Sequence, residues 1–271
     1  MDPRPIGVFD SGVGGLTVAR ALIDALPNES IVYFGDTARG PYGPRDREEV
    51  RRFSSENCEL LVAEGAKMIV AACNSASASG MDHVRSSYPD VPIIEVIEPA
   101  VRAAAAATRS GRVGVIGTEL TVSSQAYDRA LAAVSESLTV ESAACPRFVE
   151  FVERGETTGD ELIEVARGYL QPLLEAKVDT IILGCTHYPL LRPALQFVVG
   201  RDVVLIESDK EAAIDVFATL TRKDLHRPRG TPPEHRFLAS GDGSLFESLG
   251  QRFLGPEITK VEARAAGSLG S

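Results

Sequence analysis

The stretch LGCTHYP, residues 183–189, decides the fold, because it joins a buried strand to a cluster of reactive side chains. The apolar run before it, TIIL at 180–183, is typical of a strand in a parallel sheet. Cys185 follows, and then a hydroxyl, an imidazole and a proline. A second stretch, VAACNSA at 70–76, again ends an apolar run in a cysteine, Cys73. Since ligands bind beyond the carboxyl ends of parallel strands, both thiols are candidate site residues.

Short β-branched runs alternate with amphipathic or Ala-rich stretches along most of the chain. This alternation predicts an α/β protein with mostly parallel sheets flanked by helices. The strand-like runs lie at 5–9, 31–34, 68–72, 93–97, 113–116, 180–183 and 203–206. The helical stretches lie at 15–26, 46–65, 98–109, 121–134, 159–176 and 189–199.

A weak internal repeat relates the two cysteine segments. EGAKMIVAACNS at 64–75 resembles AKVDTIILGCTH at 176–187 when the cysteines are aligned, and IGVFDS at 6–11 resembles VGVIGT at 113–118. Chance similarity between β-rich segments is the alternative explanation. If the repeat is real, the chain forms two pseudosymmetric lobes, and the active site lies in the cleft between them.

The lobe boundaries follow from two segments that connect a strand to a helix, VIEPA at 96–100 and IESDKEAA at 206–213. We expect lobe A, with Asp10 and Cys73, to comprise residues 1–97 and 210–260. We expect lobe B, with Cys185 and His187, to comprise residues 98–209. Residues 261–271 are expected to form a disordered tail.

Composition and charge narrow the class of function. The 271-residue chain has a formal net charge of −10, which argues against direct, non-specific nucleic-acid binding. No apolar run approaches the roughly 20 residues that cross a bilayer, and the N-terminus MDPRPIGVFD lacks a signal-peptide pattern. We therefore expect a cytoplasmic protein whose four cysteines are reduced thiols.

The glycine-rich stretch FDSGVGGLTV at 9–18 has three interpretations. Its glycines permit a tight structural turn, and the backbone N–H groups would also suit an anion. It also matches the dinucleotide-binding fingerprint weakly, and Asp36 would then be the acid that binds the ribose. Asp10 itself is either a helix cap or a carboxylate that handles the proton of a nearby cysteine.

The two cysteines permit several chemistries. Inert buried thiols are the plain alternative for either one alone. A zinc site or a redox dithiol favours Cys-x-x-Cys spacing, which is absent, and a Cys–His hydrolase needs only one of the two thiols. Cys73 stands at a predicted helix start, which lowers a thiol pKa, and Cys185 stands beside His187. Acid–base chemistry on both faces of one carbon would use both.

Four segments resemble the signature segments of bacterial glutamate racemases. They are DSGVGGLTV (10–18), GDTARGPYG (35–43), ACNSAS (72–77) and GCTHYPLL (184–191). The resemblance covers roughly residues 5–245. It implies a two-lobed racemase that needs neither pyridoxal phosphate nor any other cofactor, and no metal. Such an enzyme interconverts L- and D-glutamate and supplies D-glutamate for peptidoglycan synthesis.

The resemblance also implies the role of each site residue. Cys73 takes the α-proton from D-glutamate with help from Asp10, and Cys185 takes it from L-glutamate with help from His187. The segment CPRFVEFVERG at 145–155 places a further acid at Glu153. Glu150 stands where proline is usual in the family, so the choice between Glu150 and Glu153 stays open. The implied substrate contacts are Ser11, Pro41, Tyr42, Gly43, Asn74, Ser75, Thr118, Thr121, Thr186 and His187.

The partners implied are glutamate as a small-molecule substrate and a second copy of the chain in a homodimer, with no membrane. Whether a DNA topoisomerase is a further partner stays unresolved. Three other functions remain open at this point. They are a two-lobed amino-acid-binding protein, a cysteine-dependent hydrolase and an aspartate racemase.

Overall fold

Two all-parallel β-sheets form the centre of the computed structural model, which describes residues 1–265 except Thr231, Thr259 and the side chain of Leu245. The strands are β1 (Ile6–Asp10), β2 (Ile31–Gly35), β3 (Met68–Ala71), β4 (Ile93–Glu95), β5 (Arg112–Gly117), β6 (Thr139–Ala144), β7 (Thr180–Gly184), β8 (Val204–Glu207), β9 (His235–Ala239) and β10 (Val261–Ala263). The first sheet has the order β10-β9-β2-β1-β3-β4, and the second has the order β6-β5-β7-β8.

The same four-strand arrangement occurs in both sheets. In the first sheet β1 lies between β2 and β3, with β4 beyond β3; in the second sheet β5 lies between β6 and β7, with β8 beyond β7. The two cysteine-bearing strand ends, after β3 and β7, are therefore equivalent positions. This confirms the α/β fold class with its repeated organisation.

Helices connect and flank the strands. They are α1 (Leu16–Ala25), α2 (Arg47–Ala63), α3 (Asn74–Ser79), α4 (Asp82–Ser87), α5 (Ile97–Ala107), α6 (Glu119–Ser123), α7 (Ala126–Val134), α8 (Arg147–Arg154), α9 (Asp160–Glu175), α10 (Arg192–Val199), α11 (Ser208–Arg222) and α12 (Gly243–Leu254), with 3-10 helices at Tyr188–Leu191 and Gly255–Glu257. Of the helices among these described residues, none is both long and apolar enough to cross a membrane.

The strands that carry the site are buried on both faces. All residues of β1, β3 and β7 are buried, which is why their sequences are continuous apolar runs rather than alternating ones. The edge strand β6, sequence TVESAA, is exposed or half-buried throughout, and its polar sequence concealed it from sequence analysis. β9 and β10 were also missed. β10 is the edge strand at the far end of the first sheet, and β9, next to it, begins with two half-buried polar residues, His235 and Arg236.

The connections between the sheets lie where the sequence placed them. α5 begins at Ile97 after β4, and α11 begins at Ser208 after β8. These two helices pack together, with an ion pair between Arg102 and Asp215. The numerical bounds of the lobes stay a prediction.

The predicted tail needs a correction. Residues 261–263 are not disordered, because they form β10 and pair with β9. The rest of that prediction, from residue 266 onward, lies outside the described residues.

Candidate active site

A cavity of about 320 Å³ lies where the carboxyl ends of the two sheets meet. Cys73 and Cys185 both border it, each only 5% exposed. We call the strand ends of the first sheet the Cys73 wall and those of the second sheet the Cys185 wall. The residues that border the cavity are Ser11, Pro41, Gly43, Pro44, Cys73, Asn74, Ser75, Thr118, Glu119, Pro146, Val149, Glu150, Glu153, Cys185, Thr186 and His187.

Cys73 occupies the N-cap position of α3. Burial raises the pKa of its thiol to about 12, and the negative charge of Asp10 adds to the rise. The N–H groups of Ala76 and Ser11 and the Ser11 side chain act in the opposite direction. The sequence predicted a lowered pKa here. That expectation is wrong because α3 has only six residues, and its N-terminus does not offset the loss of water around the sulfur.

Asp10 ends β1 behind the Cys73 wall and is completely buried. Its Oδ2 accepts a hydrogen bond of 2.9 Å from the N–H of Gly12, and its Oδ1 accepts a long one of 3.5 Å from Thr186 Oγ1. Burial raises the pKa of this carboxyl, although the His187 charge and three backbone N–H groups oppose the rise. Asp10 does not itself border the cavity, so it acts on the ligand space through its neighbours.

His187 lies between a thiol and a carboxylate on the Cys185 wall. Its Nδ1 is 3.8 Å from the sulfur of Cys185, and its Nε2 is 3.4 Å from Glu153 Oε1. Burial alone would lower the pKa of this imidazole, but Cys185, Glu153 and Asp10 together raise it to about 10. His187 therefore carries a positive charge at neutral pH.

Glu150 and Glu153, between which the sequence left the choice open, differ in their contact with His187. Both border the cavity, and both lie on α8. Glu153 is the one whose carboxylate reaches the imidazole of His187. The geometry therefore favours Glu153 as the acid that acts together with His187.

The glycine-rich loop that follows β1 contacts the Cys185 wall directly. A Cβ atom on Gly14 would lie 2.4 Å from Thr186 Oγ1 and 2.5 Å from His187 Nδ1. The next helix adds a hydrogen bond of 3.2 Å from Thr17 Oγ1 to the carbonyl oxygen of Thr186. Close approach of two parts of the chain thus accounts for a glycine at position 14.

Hydroxyl groups join the two walls across the cavity. Ser75 Oγ lies 2.9 Å from Thr118 Oγ1, and Thr118 Oγ1 lies 3.0 Å from Thr121 Oγ1. Thr121 is buried and does not border the cavity, so it supports Thr118 rather than facing a ligand.

The loop at 40–43 contributes backbone to the cavity but not the side chain of Tyr42. Pro41 and Gly43 border the cavity, and the carbonyl oxygen of Gly43 accepts a 2.9 Å hydrogen bond from the N–H of Leu120. The Tyr42 ring is completely buried, and its hydroxyl donates to Asp36. The hydroxyl is therefore turned away from the predicted substrate position.

Asp36 has a different role from the ribose-binding acid that the sequence allowed. Its carboxylate is engaged by Arg39, Tyr42 and Ser240. The buried side chain thus holds the loop at 40–43 in place.

Sequence reasoning missed two groups of site residues. Pro44, Glu119, Pro146 and Val149 border the cavity without any pattern that marks them. No local sequence pattern marks Tyr127 either, yet its hydroxyl accepts a 2.9 Å hydrogen bond from Asn74 Nδ2. Among the described residues, no cluster of three or more His, Cys, Asp or Glu side chains is arranged to hold a metal ion.

The chain matches a known protein family over most of its length. Residues 6–213 match the family model described as Asp/Glu/Hydantoin racemase. A glutamate racemase from Parafrankia sp. strain EAN1pec is 55% identical over 267 residues, which is 98% of this chain and 96% of that protein. A glutamate racemase from Beutenbergia cavernae is 54% identical over 272 residues, 96% of this chain and 93% of that protein.

Solved structures give the same result. The glutamate racemase of Francisella tularensis, in complex with D-glutamate, superposes with a TM-score of 0.93 at 35% identity, covering 99% of this chain and 100% of that one. The glutamate racemase of Thermus thermophilus, in complex with β-chloro-D-alanine, gives a TM-score of 0.88 at 41% identity, covering 98% of each chain.

Proposed function

The chain belongs to the Asp/Glu/hydantoin racemase family and, within it, to the glutamate racemases, and on this premise we propose that it interconverts L- and D-glutamate by proton transfer at two cysteines. One observation carries the proposal: Cys73 and Cys185 border the same cavity from equivalent strand ends. Thiols on opposite walls can serve opposite faces of one α-carbon. Inversion needs a base on one face and an acid on the other.

The family resemblance supports one direction of proton transfer for each thiol, and the charges around them are consistent with it. Cys185 as thiolate removes the α-proton of L-glutamate, and the positive charge of His187 stabilises that thiolate. Cys73 as thiol then delivers a proton to the other face. In the reverse direction Cys73 must first lose its proton, and Asp10, a buried carboxyl with a raised pKa, is the group that takes it up.

Apart from His187, substrate binding relies on uncharged donors. The described residues that border the cavity include neither lysine nor arginine. We therefore propose that hydroxyls, an amide and backbone N–H groups hold the two carboxylates of glutamate, in the manner of a preorganised oxyanion site. The side chains that supply them are Ser11, Asn74, Ser75, Thr118 and Thr186, with backbone groups from 41–43. The same donors stabilise the charge that develops as the α-proton leaves.

Glutamate entry requires the two walls to separate, and we propose that the loop at 40–43 moves with the rim. The hydrogen bond from Leu120 N–H to Gly43 O joins the loop to the Cys185 wall and would break as the walls separate. Backbone hydrogen exchange at 42–43 should slow when glutamate is bound. Equal exchange rates with and without glutamate would contradict movement of this loop.

The decisive experiment is chiral chromatography of each glutamate enantiomer incubated with the purified protein in heavy water, without added pyridoxal phosphate. Both enantiomers should approach an equal mixture, and the product should carry solvent deuterium at the α-carbon. Aspartate serves as the comparison substrate and should react far more slowly. Binding of glutamate without any change of configuration would overturn the proposal in favour of a binding protein.

The cellular part of the proposal is that a cytoplasmic homodimer supplies D-glutamate for peptidoglycan. This rests on the family resemblance. Depletion of the protein should then stop growth unless D-glutamate is added. Light scattering on the purified chain, whose monomer mass is 28.9 kDa, tests the dimer directly.

A further inference from the structure

Tyr127 is a buried side chain that touches both walls of the cavity from behind. It lies in the first turn of α7 and is only 1% exposed. Its hydroxyl accepts a 2.9 Å hydrogen bond from Asn74 Nδ2, and Asn74 directly follows Cys73. Its ring packs against Gly184, which directly precedes Cys185, so closely that a Cβ atom there would lie 3.1 Å from Tyr127 Cε2.

Asn74 borders the cavity, and the nitrogen of its side-chain amide already makes a hydrogen bond. The residue is 2% exposed, and Tyr127 holds its amide nitrogen. Its amide oxygen is buried and has no hydrogen-bond partner within the part of the chain that the structure describes. A buried acceptor without a donor costs free energy, so a bound ligand that supplies a donor gains by pairing with it.

We propose that Tyr127 is a positioning residue for substrate binding: it fixes the amide of Asn74 so that the oxygen is left for the ligand, and it ties the position of Asn74 to the strand end that carries Cys185. The inference rests on the proposed racemisation of glutamate and adds a residue to that site. Tyr127 does not border the cavity, so it acts through Asn74.

The phenol remains neutral while it does this. Burial raises the pKa of the Tyr127 hydroxyl, and the charges of Glu95 and Cys185 raise it further. A neutral hydroxyl offers the amide nitrogen an acceptor without adding a negative charge near Cys185.

The kinetic test is a double-mutant cycle between Tyr127 and Asn74. Tyr127→Phe keeps the ring against Gly184 and removes the hydroxyl. It should raise KM for both enantiomers about three- to tenfold and change kcat by less than about twofold, because a ground-state contact is weakened. In an Asn74→Ala background the same substitution should change KM by less than about 1.5-fold, because the hydroxyl has lost its partner.

Tyr169→Phe is the matched control. This partly buried tyrosine packs on Phe148 in the same half of the chain and does not border the cavity. The Tyr169→Phe variant should have the same KM as the unmodified enzyme. An equal rise in KM from Tyr127→Phe in both backgrounds would show a merely structural role and overturn the inference.

A spectroscopic measurement keeps the inference testable if a variant is unstable. The chain contains three asparagines, Asn28, Asn57 and Asn74, so selective ¹⁵N-asparagine labelling yields three side-chain amide signals. In the unmodified enzyme, glutamate should shift the Asn74 signal and leave that of the exposed Asn28 in place. In Tyr127→Phe the Asn74 signal should move before any ligand is added.

The possible outcomes separate the two proposals. If the unmodified enzyme does not racemise glutamate, the proposed function fails. If it does, but Tyr127→Phe leaves both KM and the Asn74 signal unchanged, the function stands and the role of Tyr127 is refuted.

Discussion

The Cys73 wall and the Cys185 wall have the same strand order but opposite electrostatics. Behind Cys73 lies a buried carboxylate, Asp10, which adds to the cost of a negative charge on the sulfur. Beside Cys185 lies His187, whose pKa is raised to about 10, so this wall carries a positive charge instead. The repeated backbone thus presents two similar thiols in different surroundings, and in the proposed mechanism Cys73 is the resting acid and Cys185 is the resting base.

This difference shows how a duplicated scaffold can serve a reaction that is not symmetric for the protein. L- and D-glutamate have equal free energies, yet a site with two identical thiolates would lack the acid that inversion requires. In the proposed mechanism the two sulfurs hold one proton between them, so one is the acid and the other is the base, as in other paired acid–base sites.

The largest expected effect comes from removing either sulfur. Cys73→Ala and Cys185→Ala should each reduce racemisation by at least on the order of 10³-fold, because one face of the α-carbon loses its proton carrier. Chiral chromatography measures the loss. Cys58→Ala is the matched control, since Cys58 is a buried thiol on α2 away from the cavity, and it should retain activity. Substantial activity in either site variant would break the comparison of the two walls.

The second prediction distinguishes the walls by isotope effects. His187→Gln should slow proton transfer at Cys185 about 10²-fold, and Asp10→Asn should slow transfer at Cys73 by a similar factor. Because the equilibrium constant is one, kcat/KM must fall equally in both directions. The substrate deuterium isotope effect should differ: in His187→Gln it should be larger for L-(2-²H)glutamate, and in Asp10→Asn larger for the D-enantiomer. The reversed pattern would exchange the assigned roles.

A smaller effect should separate the two acids of α8. Glu153→Gln removes a carboxylate 3.4 Å from His187, so the pKa of the imidazole should fall. The basic limb of the pH profile of kcat/KM should then move to lower pH. Glu150→Gln, on the same helix and bordering the same cavity, should leave that limb in place. A shift with Glu150→Gln alone would assign the acid to position 150.

The smallest effect concerns stability. The pKa of His187 is raised from 6.5 in the unfolded chain to about 10 in the folded one, so the folded state binds the proton more tightly. The resulting stabilisation is fully present below pH 6.5 and is lost as the pH rises through about 10. The Tm of the unmodified protein should therefore exceed that of His187→Gln at low pH. This difference should shrink as the pH rises from 6.5 to about 10. A difference in Tm that does not change with pH would contradict a charged His187.

The sequence predicted the elements that carry the chemistry because they are the most buried ones. β3 and β7 consist almost entirely of apolar residues, are closely followed by a cysteine and lie inside their sheets, so a local pattern reveals them. β6 lies at a sheet edge, where half-buried polar residues give no such pattern. An edge strand has a neighbouring strand on one side only, so its side chains can stay polar, and its sequence then lacks the apolar run that marks a buried strand.

The details of the site depend on contacts between distant segments. The raised pKa of Cys73 results from tertiary burial, which outweighs the local helix start that the sequence displays. Tyr42 turns inward because Asp36 and Asn57 engage its hydroxyl. Tyr127 meets Asn74 across 53 residues of chain, so no motif contains both.

The absence of a side chain at Gly14 has one more consequence. Here the main chain packs directly against the side chains of Thr186 and His187. The spacing between the loop and the His187 ring is therefore set by direct van der Waals contact, and a larger residue at position 14 would have to push Thr186 and His187 aside. Such a displacement would carry the chain segment that includes Cys185 away from the first sheet, so a single added methyl group at position 14 would widen the gap between the two walls.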